Sequence, residues 1–561
     1  MSKIKFQKKT LAQNFILILL SGILTACGND YSENSSQASK KPAYNSENSS
    51  NILIEPNYRM GEFSDTLVTS NSSTQRFIND IYISSDTAQY KNYTDNSIKQ
   101  VANEPVSTFS LDMDTGSYAN SRRFLSQGRM PHPDAVRVEE FINYFPSAPN
   151  EDLIPLVGSP FSVAYELTPS PWNADKVLLK VNIKANDVNF KKLPPSNLTF
   201  LVDTSGSMYG PDRLELLQKS LKLLVDKLRP EDKVAIVTYA GSEGVALPPT
   251  SGRDKAKILA AIDNFEAGGS TAGGAGLKLA YKMAEQNKVA NGINRILLAT
   301  DGDFNVGIRS TEELKAFVIS EKEKGITLST LGFGDDNFNE QLMVQIADAG
   351  NGNYSYIDSL KEAQKVLQEE MSATLVTVAK DVKAQIEFNP QYVLDYRQIG
   401  YEKRQLKQED FNNDKVDAGD IGAGKKTTVL YELTLVGNTP SIDPLRYQAK
   451  KSEPNISINS NEIAFLKLRW KAPKDKKSNL VSLPLEKKAL VSNFDKASSE
   501  TRFIAAVAAF GQKLRNNPEL SQTSYQQIAS WANNAKGKDP HGYRSEFVQL
   551  VRKAAALDDK K

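Results

Sequence analysis

Residues 201–210, LVDTSGSMYG, set three oxygen-bearing side chains, Asp203, Ser205 and Ser207, at alternate positions directly after an apolar run. In an extended loop, residues i, i+2 and i+4 point the same way, so one carboxylate and two hydroxyls can converge. Such a set could be a nucleophilic serine, a metal site, or a polar turn between a strand and a helix. A nucleophilic serine needs a nearby base, usually histidine. The chain holds two histidines, His132 and His541, both distant in sequence from this stretch. Neither Ser205 nor Ser207 has the glycine two places earlier that a nucleophile elbow requires. As hard oxygen donors, the three side chains suit Mg²⁺, Mn²⁺ or Ca²⁺ rather than zinc or copper.

Residues 196–375 supply elements that can position them. Strand-like runs LTFLV, KVAIVTY, RILLAT, ITLSTLGFG and NYSYID alternate with helical segments. The first helix carries leucines at 214, 217, 221, 224 and 228, spaced three and four apart on one face, and Pro230 follows its end. Strands alternating with helices of this length predict a doubly wound, mainly parallel sheet covered on both faces. In such sheets ligands bind beyond the carboxyl ends of the strands. Two more polar clusters fall at strand-to-helix crossings of that kind. They are Gly268-Gly269-Ser270-Thr271 before a helix, and Thr300-Asp301-Gly302-Asp303 after RILLA.

Taken in order, Asp203, Ser205, Ser207, Thr271 and Asp301 resemble, residue for residue, the metal-ion-dependent adhesion site of von Willebrand factor A (VWA) domains. The resemblance implies that the five surround a divalent cation, some of them through water. Mg²⁺ is the first expectation and Mn²⁺ or Ca²⁺ the alternatives. It also implies one open coordination position for an Asp or Glu carboxylate of a partner protein. Outside that unit, PVSTFSLDMDTGSYANSRRFL, DAVRVEEFINYF, DIGAGKKTTVLYEL and GYRSEFVQLVRKA resemble the YfbK-type bacterial lipoproteins.

The flanks read differently. SYANSRRFLSQG and DAVRVEEFINYF look like short helices, the second starting from Asp134. FSVAYEL and KVLLKVNIKA follow as strands. After 375 come DVKAQIEF, YVLDYRQIG, TTVLYELTLVG and EIAFLKLRW, then a helical tail of TRFIAAVAAFGQKLR, SYQQIASWANNA and YRSEFVQLVRKAA. The strands before 196 and after 375 are expected to share one domain into which the α/β unit is inserted. The expected fold class is therefore α/β, a VWA-like (Rossmann-like) sheet set into a flanking β-rich domain with a helical C-terminal tail. The expected boundaries are 1–26 signal peptide, 27–104 tether, 105–195 N-terminal α+β segment, 196–375 VWA domain and 376–561 C-terminal domain.

At the N-terminus, lysine-bearing MSKIKFQKK precedes the apolar FILILLSGILTAC, the form of a secretory signal. Leu24-Thr25-Ala26-Cys27 resembles the lipobox of bacterial lipoproteins, which implies lipidation at Cys27. Cys27 is the only cysteine, so it has no intramolecular disulfide partner. Gly28, standing where an aspartate would resemble an inner-membrane retention signal, favours the outer membrane. The Asn/Ser-rich stretch after it is too polar to bury a core and reads as a tether.

Composition excludes other classes. With 69 basic against 67 acidic residues among 561, the chain has no basic excess suited to nucleic acid. Asp114-Thr115-Gly116-Ser117 spells the aspartic-protease tetrapeptide but has no second copy, and helix capping by Asp114 or Thr115 is the better reading. Residues 419–426, GDIGAGKK, nearly spell a P-loop. A lysine replaces the final Ser or Thr and a strand follows, so a hairpin turn is expected rather than a nucleotide site. Asp301, Asp303, Asn305 and Glu312 have EF-hand-like spacing, but Val306 stands where glycine makes the turn. The expectation is a non-enzymatic, lipid-anchored envelope protein whose VWA domain binds a protein partner through a cation. The alternative is a structural or accessory subunit of an envelope or ATPase-linked complex, the metal serving structure alone.

Overall fold

The computed structural model describes residues 90, 92–111, 114–146, 151–189, 192–271, 273–302, 310–334, 339–443 and 461–559. The signal segment, Cys27 and most of the expected tether lie outside the described residues, as do Asp303 and Asn305.

In chain order the first elements are β1 (Lys99–Gln100), β2 (Val106–Ser110), α1 (Gly116–Ser126), α2 (Val138–Tyr144), β3 (Ile154–Pro155), β4 (Phe161–Pro169) and β5 (Val177–Ala185). The α/β unit follows with β6 (Ser196–Asp203), α3 (Leu214–Lys227), β7 (Lys233–Tyr239), β8 (Glu243–Ser251), α4 (Lys255–Asp263) and α5 (Gly273–Gln286). It continues with β9 (Ile293–Thr300), α6 (Thr311–Glu323), β10 (Thr327–Gly332), α7 (Glu340–Ala349), β11 (Tyr354–Tyr356), α8 (Leu360–Gln364) and α9 (Met371–Leu375). The chain then returns to strands β12 (Thr377–Phe388), β13 (Val393–Ile399), β14 (Ile421–Gly422), β15 (Lys426–Leu435), β16 (Glu462–Lys471) and β17 (Asn479–Glu486). It ends in helices α10 (Ser499–Leu514), α11 (Tyr525–Asn534) and α12 (Tyr543–Asp558).

The α/β unit is a six-stranded sheet in the order β11-β10-β9-β6-β7-β8, parallel except where β8 runs antiparallel to β7. All eight residues of β6 are buried, as a central strand covered on both faces requires. On one face Leu217, Leu221 and Leu224 of α3 pack with Phe200, Val202 and Ile236. On the other, Leu277 and Ala280 of α5 and Val318 of α6 meet Leu201 and Val237. Burying each such leucine stabilises by about 1.5–3 kcal/mol relative to exposure. That stabilisation is what holds the end of β6 in place.

The flanking strands form two antiparallel sheets. One runs β1-β13-β15-β5-β4-β3; the other runs β14-β12-β16-β17, with β2 paired to β12. Val181, Val429 and Tyr431 of the first share a core with Ala384, Ile386 and Leu466 of the second. The opposite side of the first sheet, with Leu178, Leu430 and Ile399, is covered by α2 and α10–α12. Strands from before 196 and after 375 thus lie side by side, and the α/β unit is inserted between them.

Four local features differ from the sequence reading. Residues 92–104, read as tether, are docked: β1 pairs with β13, Asn96 donates to the carbonyls of Gln398 and Gly400 at 3.1 and 2.8 Å, and Arg515 donates to Asp95 at 2.7 Å. The attachment is mostly polar, so a search for apolar residues passes over it. The second helix begins at Val138, because Pro133 sets a separate 3₁₀ turn, Pro133–Ala135, and Arg137 after it is extended. Residues 419–426 do not close a hairpin; they carry the chain from β14, paired with β12, to β15 in the other sheet. Thr115 makes no side-chain cap on α1; Asp114 accepts from Tyr354 N–H at 3.1 Å, and Glu140 accepts from Ser117 N–H at 2.8 Å.

Candidate metal centre

From β6 the chain crosses to β7 on one side, and from β9 to β10 on the other. The order of strands therefore reverses between β6 and β9, where a crevice opens beyond their carboxyl ends. Asp203 is the last residue of β6, and Asp301 directly follows β9, which runs parallel beside it. Both are buried, at 0% and 8% exposure.

The loop after β6 is folded on itself. Ser205 N–H donates to Asp203 Oδ1 at 2.9 Å, and the hydroxyls of Ser205 and Ser207 are 2.9 Å apart. Arg213 Nη1 donates to the Ser207 carbonyl at 2.7 Å. Two backbone bonds join this loop to the glycine-rich one: Gly206 N–H to Gly269 O at 3.0 Å and Gly268 N–H to Thr204 O at 2.9 Å. Thr271, two residues past Gly269, is half-buried, and its hydroxyl makes no hydrogen bond to another described residue. The structure thus brings the loops of Asp203, Ser205, Ser207, Thr271 and Asp301 to one edge of the sheet.

Asp203 Oδ2 accepts from the Thr300 hydroxyl at 2.8 Å and the Tyr239 hydroxyl at 3.1 Å. Thr300 Oγ1 in turn accepts from Gly302 N–H at 3.1 Å. Gly302 has a φ of 91°, a left-handed turn after Asp301 that glycine adopts without strain. Burial pushes the Asp203 carboxyl up to about 6, and the Asp301 charge adds to the rise; hydrogen bonds from Ser205 and Thr300 pull against it. Among the described residues no Lys, Arg or His forms an ion pair with Asp203. Two buried carboxylates and three hydroxyls are hard oxygen donors of the kind that fit a divalent cation.

Tyr239 and Arg213 were not singled out by sequence, and Thr300 was named only as part of a polar cluster. The available signal was strand register, since Tyr239 ends the strand beside β6 and lies opposite Asp203. The rival motifs are elsewhere: His132 stacks on Tyr90 and His541 on Tyr543, and Glu312 is exposed in the first turn of α6.

Residues 197–370 match the von Willebrand factor type A domain family, and 84–180 match a family described as von Willebrand factor. Residues 373–557 match the family described as Uncharacterized protein YfbK, C-terminal. The Escherichia coli K12 protein of that name is 58% identical over 477 residues, 84% of this chain and 82% of its own. The chain belongs to the YfbK family. Other likenesses to this YfbK-family chain are partial. Protein sll0103 of Synechocystis is 31% identical over 194 residues, covering 35% of this chain and 44% of that one. The solved structure titled von Willebrand factor type A from Catenulispora acidiphila is 15% identical, covers 72% of this chain and 92% of that one, and has a TM-score of 0.38. A VWA domain points to an interaction or accessory role, and such domains typically bind a divalent cation at a metal-ion-dependent adhesion site.

Proposed function

We propose that this YfbK-family protein is an envelope lipoprotein whose VWA domain binds a protein partner through a divalent cation. Asp203, Ser205, Ser207, Thr271 and Asp301 would hold the ion, Mg²⁺ first and Mn²⁺ or Ca²⁺ as alternatives. The observation that carries this reading is buried Asp203, with no cation paired to it among the described residues, at an edge where a second buried carboxylate, Asp301, and three hydroxyl-bearing residues gather. The bound cation would supply charge and an acceptor position for a carboxylate of the partner. The chain's own residues do the rest. Hydrogen bonds from Ser205, Thr300 and Tyr239 orient Asp203, and Arg213 pins the Ser207 carbonyl. Gly206, Gly268, Gly269 and Ser270 leave the rim open to solvent, so a protein surface can approach closely.

The reading is non-enzymatic, and no serine–histidine pair is part of it, since His132 stacks on Tyr90 and His541 on Tyr543. Lipidation at Cys27 and placement at the outer membrane rest on the N-terminal sequence alone. Pull-down from envelope extracts tests the proposal. Partners recovered with Mg²⁺ are expected to be lost with EDTA and with Asp203→Ala; identical recovery in all three would contradict it.

A further inference from the structure

Tyr239 is wholly buried and touches the metal edge in three ways. Its hydroxyl donates to Asp203 Oδ2, and its carbonyl accepts from Thr204 N–H at 2.9 Å. Its side chain rests on α5, the helix that begins just after Thr271. A Cβ added at Gly276 of that helix would come within 2.8 Å of Tyr239 Cβ and 3.0 Å of its Cγ. Glycine at 276 is what allows the helix to lie so close.

The bonding around Asp203 gives that contact a consequence. A carboxylate offers about four acceptor positions, two on each oxygen. Oδ2 takes donors from Tyr239 and Thr300 and is full; Oδ1 takes Ser205 N–H, and the Ser205 hydroxyl also reaches the carboxylate. The remaining acceptor capacity of Asp203 is therefore on Oδ1, the oxygen tied to the serine loop. A phenol is protonated at neutral pH, so the Tyr239 hydroxyl is a donor to that oxygen.

Resting on the metal reading above, we infer that Tyr239 is the positioning residue of the centre. Its hydroxyl turns the free lone pair of Asp203 toward Ser205 and Ser207, while its side chain seats the helix behind Thr271. One side chain thus connects ligands from separate loops. A tyrosine that only filled the core would affect folding and leave ion affinity alone.

The test is Mn²⁺ titration of the full chain, following the free-ion electron paramagnetic resonance signal, beside thermal unfolding of the metal-free protein. Tyr239→Phe keeps the ring and removes only the hydroxyl. Mn²⁺ affinity is expected to fall about tenfold to a hundredfold, the usual consequence of removing a group that orients a metal ligand. Metal-free unfolding should move little by comparison. Thr300→Val removes the other donor to the same oxygen and should weaken binding similarly. If the wild-type chain bound no Mn²⁺, the metal reading itself would fail. If it bound Mn²⁺ and Tyr239→Phe bound it equally well, only the role assigned to Tyr239 would be overturned. Should Tyr239→Phe not fold, unchanged affinity in Thr300→Val would overturn it instead.

Discussion

Arg137, at the start of α2, reaches Glu340 in the first turn of α7 with both terminal nitrogens, at 2.8 and 2.7 Å. Its Nε also donates to Glu140, and all three residues are at most 5% exposed. The contact fixes the VWA domain to the helical layer of the flanking domain. Removing Arg137 would take its charge away from two buried carboxylates, which costs about 3–5 kcal/mol in comparable networks. Arg137→Ala is therefore expected to lower the urea midpoint of unfolding substantially. A midpoint equal to wild type would show that the junction does not depend on this pair.

Glu402 faces Glu139 near that junction, and the Oε2 atoms of both lack a hydrogen-bond partner among the described residues. Burial, and then the Glu139 charge, push the Glu402 carboxyl from 4.5 up to about 8. The folded chain thus keeps a proton that the unfolded chain loses. The contribution of Glu402 to stability is greatest below about pH 4.5 and declines as pH rises toward 8. Glu402→Gln should remove that decline, melting higher than wild type at pH 8 and losing the advantage near pH 4. Melting curves across this range check the difference; a constant difference would rule the titration out.

Gly116, the glycine of the protease-like tetrapeptide, lies against Tyr354 of β11. A Cβ there would fall 2.1 Å from the tyrosine ring. Gly116→Ala is expected to destabilise by about 1–3 kcal/mol through overpacking, read by chemical denaturation. An unperturbed variant would mean that α1 can shift freely away from β11.

The VWA sheet was legible because its strands are apolar runs and its helices keep a regular spacing; the buried leucines of α3 are a direct instance. β8 was not, since it is an edge strand containing Pro248 and Pro249, residues that read as loop. β17 was hidden likewise by Pro484 and by its exposed edge position. Asp203, Ser205 and Ser207 were visible as donors because their spacing is local. The partners of Asp203 were not, because Tyr239 and Thr300 reach it only through the parallel register of three strands.

Residues 92–104 give a further expectation. Arg515, almost fully buried as a side chain, donates to Asp95 at 2.7 Å and to the carbonyls of Pro133 and Val136 at 3.1 and 3.2 Å. A chain beginning at residue 105 would lose Asp95, Asn96 and β1. It should melt below one beginning at residue 90, and amides at the end of α10 should exchange hydrogen faster. Equal melting would return these residues to the tether.

Anomalous diffraction at the manganese edge, from crystals of the full chain grown with Mn²⁺, tests the metal centre most directly. One peak is expected among Asp203, Ser205, Ser207, Thr271 and Asp301, absent in a Ser205→Ala/Ser207→Ala variant. No peak at that edge, or one that persists without the two hydroxyls, would contradict it.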